Sequence, residues 1–166
     1  MRQIEGQQLE NAVKEACEHY CAADLAWIEK VPTPFQQVGG AAGSRFRGVY
    51  TERSQCDFAG FFSCSDRVSA VLRGRAVVVE CKATDKATLP LSHIRPKQQQ
   101  WLEAAPHGFV LVYFTTLGKC RLFRWSPGKS RGSLKPTDGF EVAAARFLDP
   151  ILALWAAPAT EGGTKC

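Results

Sequence analysis

The chain has 166 residues, of which 45% are hydrophobic and 22% are charged, values typical of one globular domain with its own core. No apolar run is long enough to cross a bilayer, and the first residues lack the apolar segment of a signal peptide. We therefore expect a cytoplasmic protein with no membrane contact. Seven cysteines, an odd number without any CxxC pair, favour reduced thiols over disulfides or a structural zinc site.

The net charge of +5 is unevenly distributed along the chain. Residues 119–135 contain six basic side chains and no acidic one. A one-sided basic segment is typical of proteins that bind a polyanion, usually nucleic acid. A solvated basic face without a partner would have the same composition, so both interpretations stay open here.

The first half of the chain predicts a helix and a strand, followed by a long insertion. Apolar residues at helical spacing, among them Leu9, Val13 and Tyr20, predict a helix over residues 5–23. Glu10 lies beside this apolar stripe. A strand follows and ends at Pro32, because proline cannot donate to a strand ladder.

Residues 36–54 then form an excursion in which Arg45, Arg47 and Arg53 alternate with aromatic residues. This pattern suits phosphate contact with base stacking, but it also fits a flexible insertion that packs against nothing.

The remaining elements predict an α/β domain. We expect strands over residues 55–62 and 76–82, a further short strand over 68–72, and a helix over 95–105. Two strands follow, over 109–115 and 119–125, then a basic loop over 126–139, a short helical end within 140–155 and a frayed tail. The order is one helix, three strands in a meander, a helix and two strands. The expected folded domain spans residues 1–156, with 36–54 as an insertion and 157–166 as a flexible tail.

The strand over 76–82 carries the most unusual side chains. Three consecutive valines predict a buried strand, and Glu80 and Lys82 then project from the same face at its end. Such charges are costly to bury unless they are used. A meander would place Asp57 beside them, and two carboxylates can bind Mg²⁺, which activates water for phosphodiester hydrolysis with help from a lysine. The alternative is an ion pair of Lys82 with either carboxylate.

Asp57 followed by Glu80-Cys81-Lys82 resembles the D…(D/E)XK signature of restriction-endonuclease-like nucleases. Five patches in order more specifically resemble RecU-type Holliday junction resolvases. They are the GxxLE start at residues 6–10, a KxPTP-like segment at 29–34, a TDY-type segment at 54–60, an EAKxT-type strand end at 80–84, and an apolar lead-in at 89–94 before Gln98.

The resemblance implies a role for each site residue. Asp57 and Glu80 would be metal ligands for Mg²⁺, which Mn²⁺ could replace, and Lys82 would be the catalytic lysine. Glu10 would be a supporting acid near the metal. Gln98 would contact the site or the scissile phosphate.

The resemblance also implies a fold and an activity. The fold would be a single restriction-endonuclease-like domain with a mixed central sheet flanked by helices in α-β-β-β-α-β-β order, and with residues 36–54 as a stalk-like loop projecting into the junction. The expected protein is a homodimeric, metal-dependent endodeoxyribonuclease of DNA recombination and repair, which resolves four-way junctions by paired symmetric cleavage leaving a 5′-phosphate. The residues expected to bind DNA are Arg45, Arg47, Arg53, Lys119, Arg121, Arg124, Lys129 and Arg131.

Two other functions fit the same residues. One is a nuclease of duplex or repair intermediates with this fold, because a fold does not determine its substrate. The other is a DNA-binding module that does not cut, although it would have no reason to retain Asp57, Glu80 and Lys82 together.

Overall fold

The structure is a computed structural model that describes residues 2–32, 35–38, 47–50, 55–128 and 132–154. The helices are α1 (Arg2–Ala22), α2 (Pro96–Ala104) and α3 (Asp149–Leu154), with 3₁₀ turns at Leu91–His93 and Ala144–Arg146. The strands are β1 (Ala26–Lys30), β2 (Phe35–Val38), β3 (Arg47–Tyr50), β4 (Phe58–Phe62), β5 (Ala76–Thr84), β6 (Leu89–Pro90), β7 (His107–Phe114), β8 (Lys119–Arg124), β9 (Ser133–Leu134) and β10 (Phe140–Val142).

The central sheet has the strand order β1-β4-β5-β7-β8-β10. Strands β1, β4 and β5 form an antiparallel meander, and β5 pairs with β7 in parallel. Helix α2 makes the crossover that a parallel pair requires. Strands β7, β8 and β10 complete the sheet in antiparallel pairs. The mixed α/β fold predicted from the sequence is therefore confirmed.

Strand β5 is buried on both faces of the sheet because a layer covers each of them. On one face Val77 and Val79 pack in a cluster with the apolar stripe of α1. On the other face Val78 packs with Leu102 of α2 and with the segment that precedes α2. Burial on both sides explains why β5 is a continuous apolar run rather than an alternating one.

Glycine at position 108 lets α2 lie close to the sheet. A Cβ atom there would come within 2.2 Å of the Leu102 carbonyl oxygen of α2. The close approach brings the start of α2, and with it Gln98, over β5.

The structure corrects three sequence-based expectations about the elements. The predicted strand over 68–72 is wrong, because this segment consists of turns in which the Leu72 N–H donates to the Ser69 carbonyl at 2.8 Å. Asp57 lies one residue before β4 rather than inside it. Strand β10 occupies the start of the segment that was expected to be only a helical end.

The insertion between β1 and β4 contains a hairpin of β2 and β3. Arg47 begins β3, where only the backbone is described, and Arg45 and Arg53 lie outside the described residues. Lys129 and Arg131 also lie outside them, as does the expected tail over 157–166. The stalk, the tail and the domain limits therefore stay predictions.

Candidate active site

The meander places the carboxylate of Asp57 against the middle of β5, which continues past the expected end at residue 82 to Thr84. Phe58 pairs with Val79 across the two strands, so Asp57 lies next to Glu80. The backbone N–H of Cys81 donates to Asp57 Oδ2 at 2.8 Å. The backbone N–H of Val31 donates to the Asp57 carbonyl at 2.9 Å. Asp57 is thus held between β1 and β5 although it belongs to neither strand.

The carboxylate of Glu80 has an exposed fraction of 0% and is held from one side only. Gln98 Nε2 donates to its Oε1 at 2.5 Å, and Lys82 Nζ donates to the same oxygen. The other oxygen, Oε2, is buried and has no hydrogen-bond partner among the residues that the structure describes. A buried carboxylate oxygen without a partner costs free energy in the isolated chain.

Burial makes both carboxylates harder to ionise. Burial and, after it, the negative charge of Asp57 raise the pKa of Glu80 to about 7, against the opposing charge of Lys82. Burial also raises the pKa of Asp57, against the hydrogen bond from Cys81 and the charge of Lys82. A cation that binds between Asp57 and Glu80 would therefore stabilise their ionised forms.

A second acid-base pair lies beside Asp57. Lys30 Nζ donates to Glu10 Oε2 at 2.7 Å, and this hydrogen bond raises the pKa of Lys30. The charge of Glu10 raises the pKa of Asp57, and that of Lys30 lowers it. The structure thus places Glu10 close enough to act on Asp57, and it adds Lys30, to which the sequence interpretation gave no role. The available signal was its position in the KxPTP-like segment.

The basic residues of β8 are divided between the two faces of the sheet. Register pairs Lys82 with Val112 and Val112 with Arg121, so Lys82 and Arg121 share a face. Lys119, two residues before Arg121, lies on that face too. Arg124 lies on the opposite face, the one on which α1 packs, because strand residues alternate, and its side chain is exposed.

Glu141 of β10 neutralises part of this basic surface. Its Oε2 lies 2.8 Å from Arg121 Nη2 and 3.3 Å from Lys119 Nζ. Two of the cations expected to bind DNA therefore share one carboxylate.

The donor set fits a hard divalent cation that retains several water ligands. Within the described ranges no group of three or more His, Cys, Asp or Glu side chains could hold a metal ion. Mg²⁺, however, is often bound by one or two carboxylates with water completing its shell. The open Oε2 of Glu80 beside Asp57 supplies such a pair.

A mixed sheet with helices on both faces, and with Asp57, Glu80 and Lys82 gathered at its central strand, is the arrangement of restriction-endonuclease-like nucleases. The family model for recombination protein U (RecU) matches residues 4–130, and the chain belongs to that family. No curated protein matches the chain. Family membership implies a Holliday junction resolvase role in recombination, carried out by a nuclease that acts on DNA with a divalent metal. Of the helices in the described part, none has the length and apolar character needed to cross a bilayer.

Proposed function

We propose that the chain is a Mg²⁺-dependent endodeoxyribonuclease that resolves four-way DNA junctions by paired symmetric cleavage, in recombination and repair within the cytoplasm. The observation that carries the proposal is Glu80 Oε2, a fully buried carboxylate oxygen left without a partner by the described residues. Asp57 lies next to Glu80, and the pKa of Asp57 is also raised. A site that keeps two desolvated acids together is best explained by a cation that both of them bind.

Each site residue then has a distinct task. Asp57 and Glu80 would hold the cation, which when bound neutralises charge on the phosphate and makes its water ligand more acidic; Mn²⁺ can serve in its place. Lys82 offsets the negative charge that develops on the phosphate oxygens and orients the attacking water. Glu10 and Lys30 set the charge balance around Asp57. In-line attack leaves a 5′-phosphate and a 3′-hydroxyl.

The position of the insertion supports a role for it in contacting the DNA. The chain leaves the sheet just after Lys30 and returns just before Asp57. Both ends of the insertion that contains the β2–β3 hairpin are therefore anchored beside the catalytic residues. Insertions placed at a site in this way commonly contact the substrate.

Paired cuts require two copies of the site, because the two strands to be cut lie on opposite sides of the junction. We therefore infer a homodimer. Arg47 of the hairpin, and Lys119 and Arg121 of β8, would contact the DNA backbone, with Arg45, Arg53, Lys129 and Arg131 as further candidates. Such binding should weaken steeply with added salt.

A cleavage assay with four DNA substrates tests the proposal. The protein is incubated with Mg²⁺ and a four-way junction, a nicked duplex, a linear duplex or single-stranded DNA. We expect paired symmetric nicks in the junction alone, and their loss in Asp57→Asn. Asp66→Asn is the matched control, because the Asp66 side chain is almost fully exposed and lies in an ion pair with Arg73 at 3.1 Å, away from the site.

Comparable cutting of the linear duplex would contradict junction resolution and would indicate a nuclease of duplex or repair intermediates. Binding without cutting, unchanged in Asp57→Asn, would instead indicate a non-cleaving DNA-binding module.

A further inference from the structure

Gln98 uses both ends of its side-chain amide inside the protein. It is the third residue of α2 and has an exposed fraction of only 3%. Its Oε1 accepts the backbone N–H of Arg95 at 3.0 Å, and its Nε2 donates to Glu80 Oε1 at 2.5 Å. The Arg95 N–H can only donate, so the amide oxygen must face it and the amide nitrogen must face Glu80.

This orientation makes the carboxylate of Glu80 asymmetric. Gln98 and Lys82 both donate to Oε1, whereas the described residues offer no donor to Oε2. Two donors on a single oxygen fix the plane of the carboxylate and leave the lone pairs of the other oxygen available. An oxygen held this way is preorganised to coordinate a cation, because outer hydrogen bonds orient metal ligands.

We propose that Gln98 is a positioning residue that presents Glu80 Oε2 to the divalent cation and makes no contact with the scissile phosphate. The inference rests on the proposed function, because it takes Glu80 as a metal ligand. It narrows the sequence-based expectation that Gln98 contacts the site or the phosphate, because it assigns Gln98 to Glu80 and not to the phosphate. Both polar ends of its amide are already engaged, so a phosphate contact would first require one of these bonds to break.

The start of α2 is built to hold this amide in place. Pro96 occupies the first position of the helix, where a missing N–H is harmless, and Gln98 Oε1 accepts the N–H of Arg95, the residue just before the helix. Leu102, one turn further on, is buried against the sheet. The amide is therefore held by a capped and docked helix rather than by a loop.

The test is the substitution Gln98→Met, which keeps the size of the side chain and removes both hydrogen bonds. Gln99→Met is the matched control, because Gln99 Nε2 donates to the Ile94 carbonyl at 2.7 Å on the same helix without reaching Glu80. Two quantities are measured: Mn²⁺ affinity by electron paramagnetic resonance without DNA, and affinity for a four-way junction in EDTA. Thermal melting establishes that each variant is folded.

We expect Gln98→Met to weaken Mn²⁺ binding by about 10-fold or more and to leave junction affinity in EDTA within about twofold. Gln99→Met should change neither quantity. Lower junction affinity with unchanged Mn²⁺ affinity would overturn the proposal in favour of a phosphate contact. Equal loss of Mn²⁺ affinity in both variants would also overturn it, because the effect would then come from the helix as a whole.

The shorter amide in Gln98→Asn repeats the test if the methionine variant does not fold. Failure of the proposed function has a different result. If the unsubstituted protein binds Mn²⁺ no better than Asp57→Asn does, the metal site itself is refuted. Metal binding that needs Asp57 but is indifferent to Gln98 refutes only the positioning role.

Discussion

Two buried polar groupings lie on opposite faces of the central sheet, and they differ in how completely their atoms are paired. On the α1 face, the hydroxyl of Tyr20 in α1 donates to Asp149 Oδ1 at 2.8 Å and accepts the backbone N–H of Leu148 at 3.0 Å. On the α2 face, Glu80 is equally buried, yet one of its oxygens meets no donor in the described part of the chain. Both groupings link segments that are far apart in the sequence.

The difference separates a structural polar group from a reactive one. Burial raises the pKa of Tyr20, so its hydroxyl stays protonated and keeps fastening α1 to the start of α3. Burial raises the pKa of Glu80 only to about 7, so near neutral pH its carboxyl group can lose the proton when a cation binds. A satisfied grouping stabilises the fold, whereas an unpaired carboxylate oxygen beside a second acid offers a place for a cation.

The largest effect on cleavage should come from removing the ammonium group of Lys82, which donates to the incompletely paired Glu80. Lys82→Met should reduce single-turnover cleavage of a four-way junction about 10²- to 10³-fold, the range seen when one charge-stabilising group is lost. Affinity for the junction in EDTA should fall much less. Tyr20→Phe serves as the comparison, and it should cleave at nearly the normal rate below its melting temperature. Similar cleavage by Lys82→Met and the unsubstituted protein would remove Lys82 from the mechanism.

The second prediction concerns the stability of the metal-free protein at different pH values. The pKa of Glu80 in the folded state, about 7, lies above the ordinary value of 4.5. The folded state therefore binds the Glu80 proton more tightly than the unfolded state does. Protonation of Glu80 stabilises the fold fully below pH 4.5, and this stabilisation is lost as the pH rises through 7. The difference corresponds to at most about 3 kcal/mol.

Glu80→Gln should remove this dependence. In EDTA at pH 8, urea denaturation should give the variant a larger free energy of unfolding than the unsubstituted protein, by up to about 3 kcal/mol. At pH 5 the gap should nearly close. A gap of the same size at both pH values would show that burial does not destabilise the ionised Glu80.

Removing the fully paired hydroxyl of Tyr20 should lower the stability of the protein, whereas Glu80→Gln should raise it. Tyr20→Phe removes a hydroxyl that makes two hydrogen bonds, so Asp149 Oδ1 and the buried Leu148 N–H each lose a partner. We expect a loss of about 1–3 kcal/mol in the free energy of unfolding, similar at pH 5 and pH 8. Urea denaturation under the conditions used for Glu80→Gln measures it. An unchanged stability would mean that the contact between α1 and α3 does not depend on this hydroxyl.

Sequence patterns predicted the central strand and failed where local turns decided the structure. The valines before Glu80 predicted β5 because a short run of branched apolar residues is typical of a strand buried on both faces. Val68 and Leu72 suggested a strand by the same reasoning, but they are buried through turns that end at Gly74, whose φ is +64°. Composition alone cannot distinguish a buried turn from a buried strand.

The site was predictable in part for similar reasons. The two-residue period of a strand placed Glu80 and Lys82 on one face, and the structure agrees. The contact of Lys30 with Glu10 was missed, because it depends on how α1 crosses β1 and no local pattern encodes that crossing. Gln98 was expected to contact the site or the phosphate, but its particular partner, Glu80 Oε1, follows from how α2 docks on the sheet and not from a local pattern.

The sequence did not indicate how the cations of the basic segment are arranged in space. Six of them lie within residues 119–135. Alternation along β8 directs Arg121 and Arg124 to opposite faces, and Glu141 pairs with Arg121 and Lys119. The part of a basic run that forms a strand is therefore divided between the two faces of the sheet.

The smallest predicted effect tests whether Lys119 and Arg121 bind DNA at all. Glu141 competes with any phosphate for these two cations, and its exposed pair with Lys119 contributes less than about 1 kcal/mol. Glu141→Gln should therefore strengthen junction binding by up to about fivefold at low salt, and it should make the salt dependence steeper because more counterions are displaced. Fluorescence anisotropy across a salt series measures both quantities. Asp66→Asn changes the net charge equally at a remote ion pair with Arg73, so equal gains in the two variants would mean that overall charge, and not this face of β8, attracts the DNA.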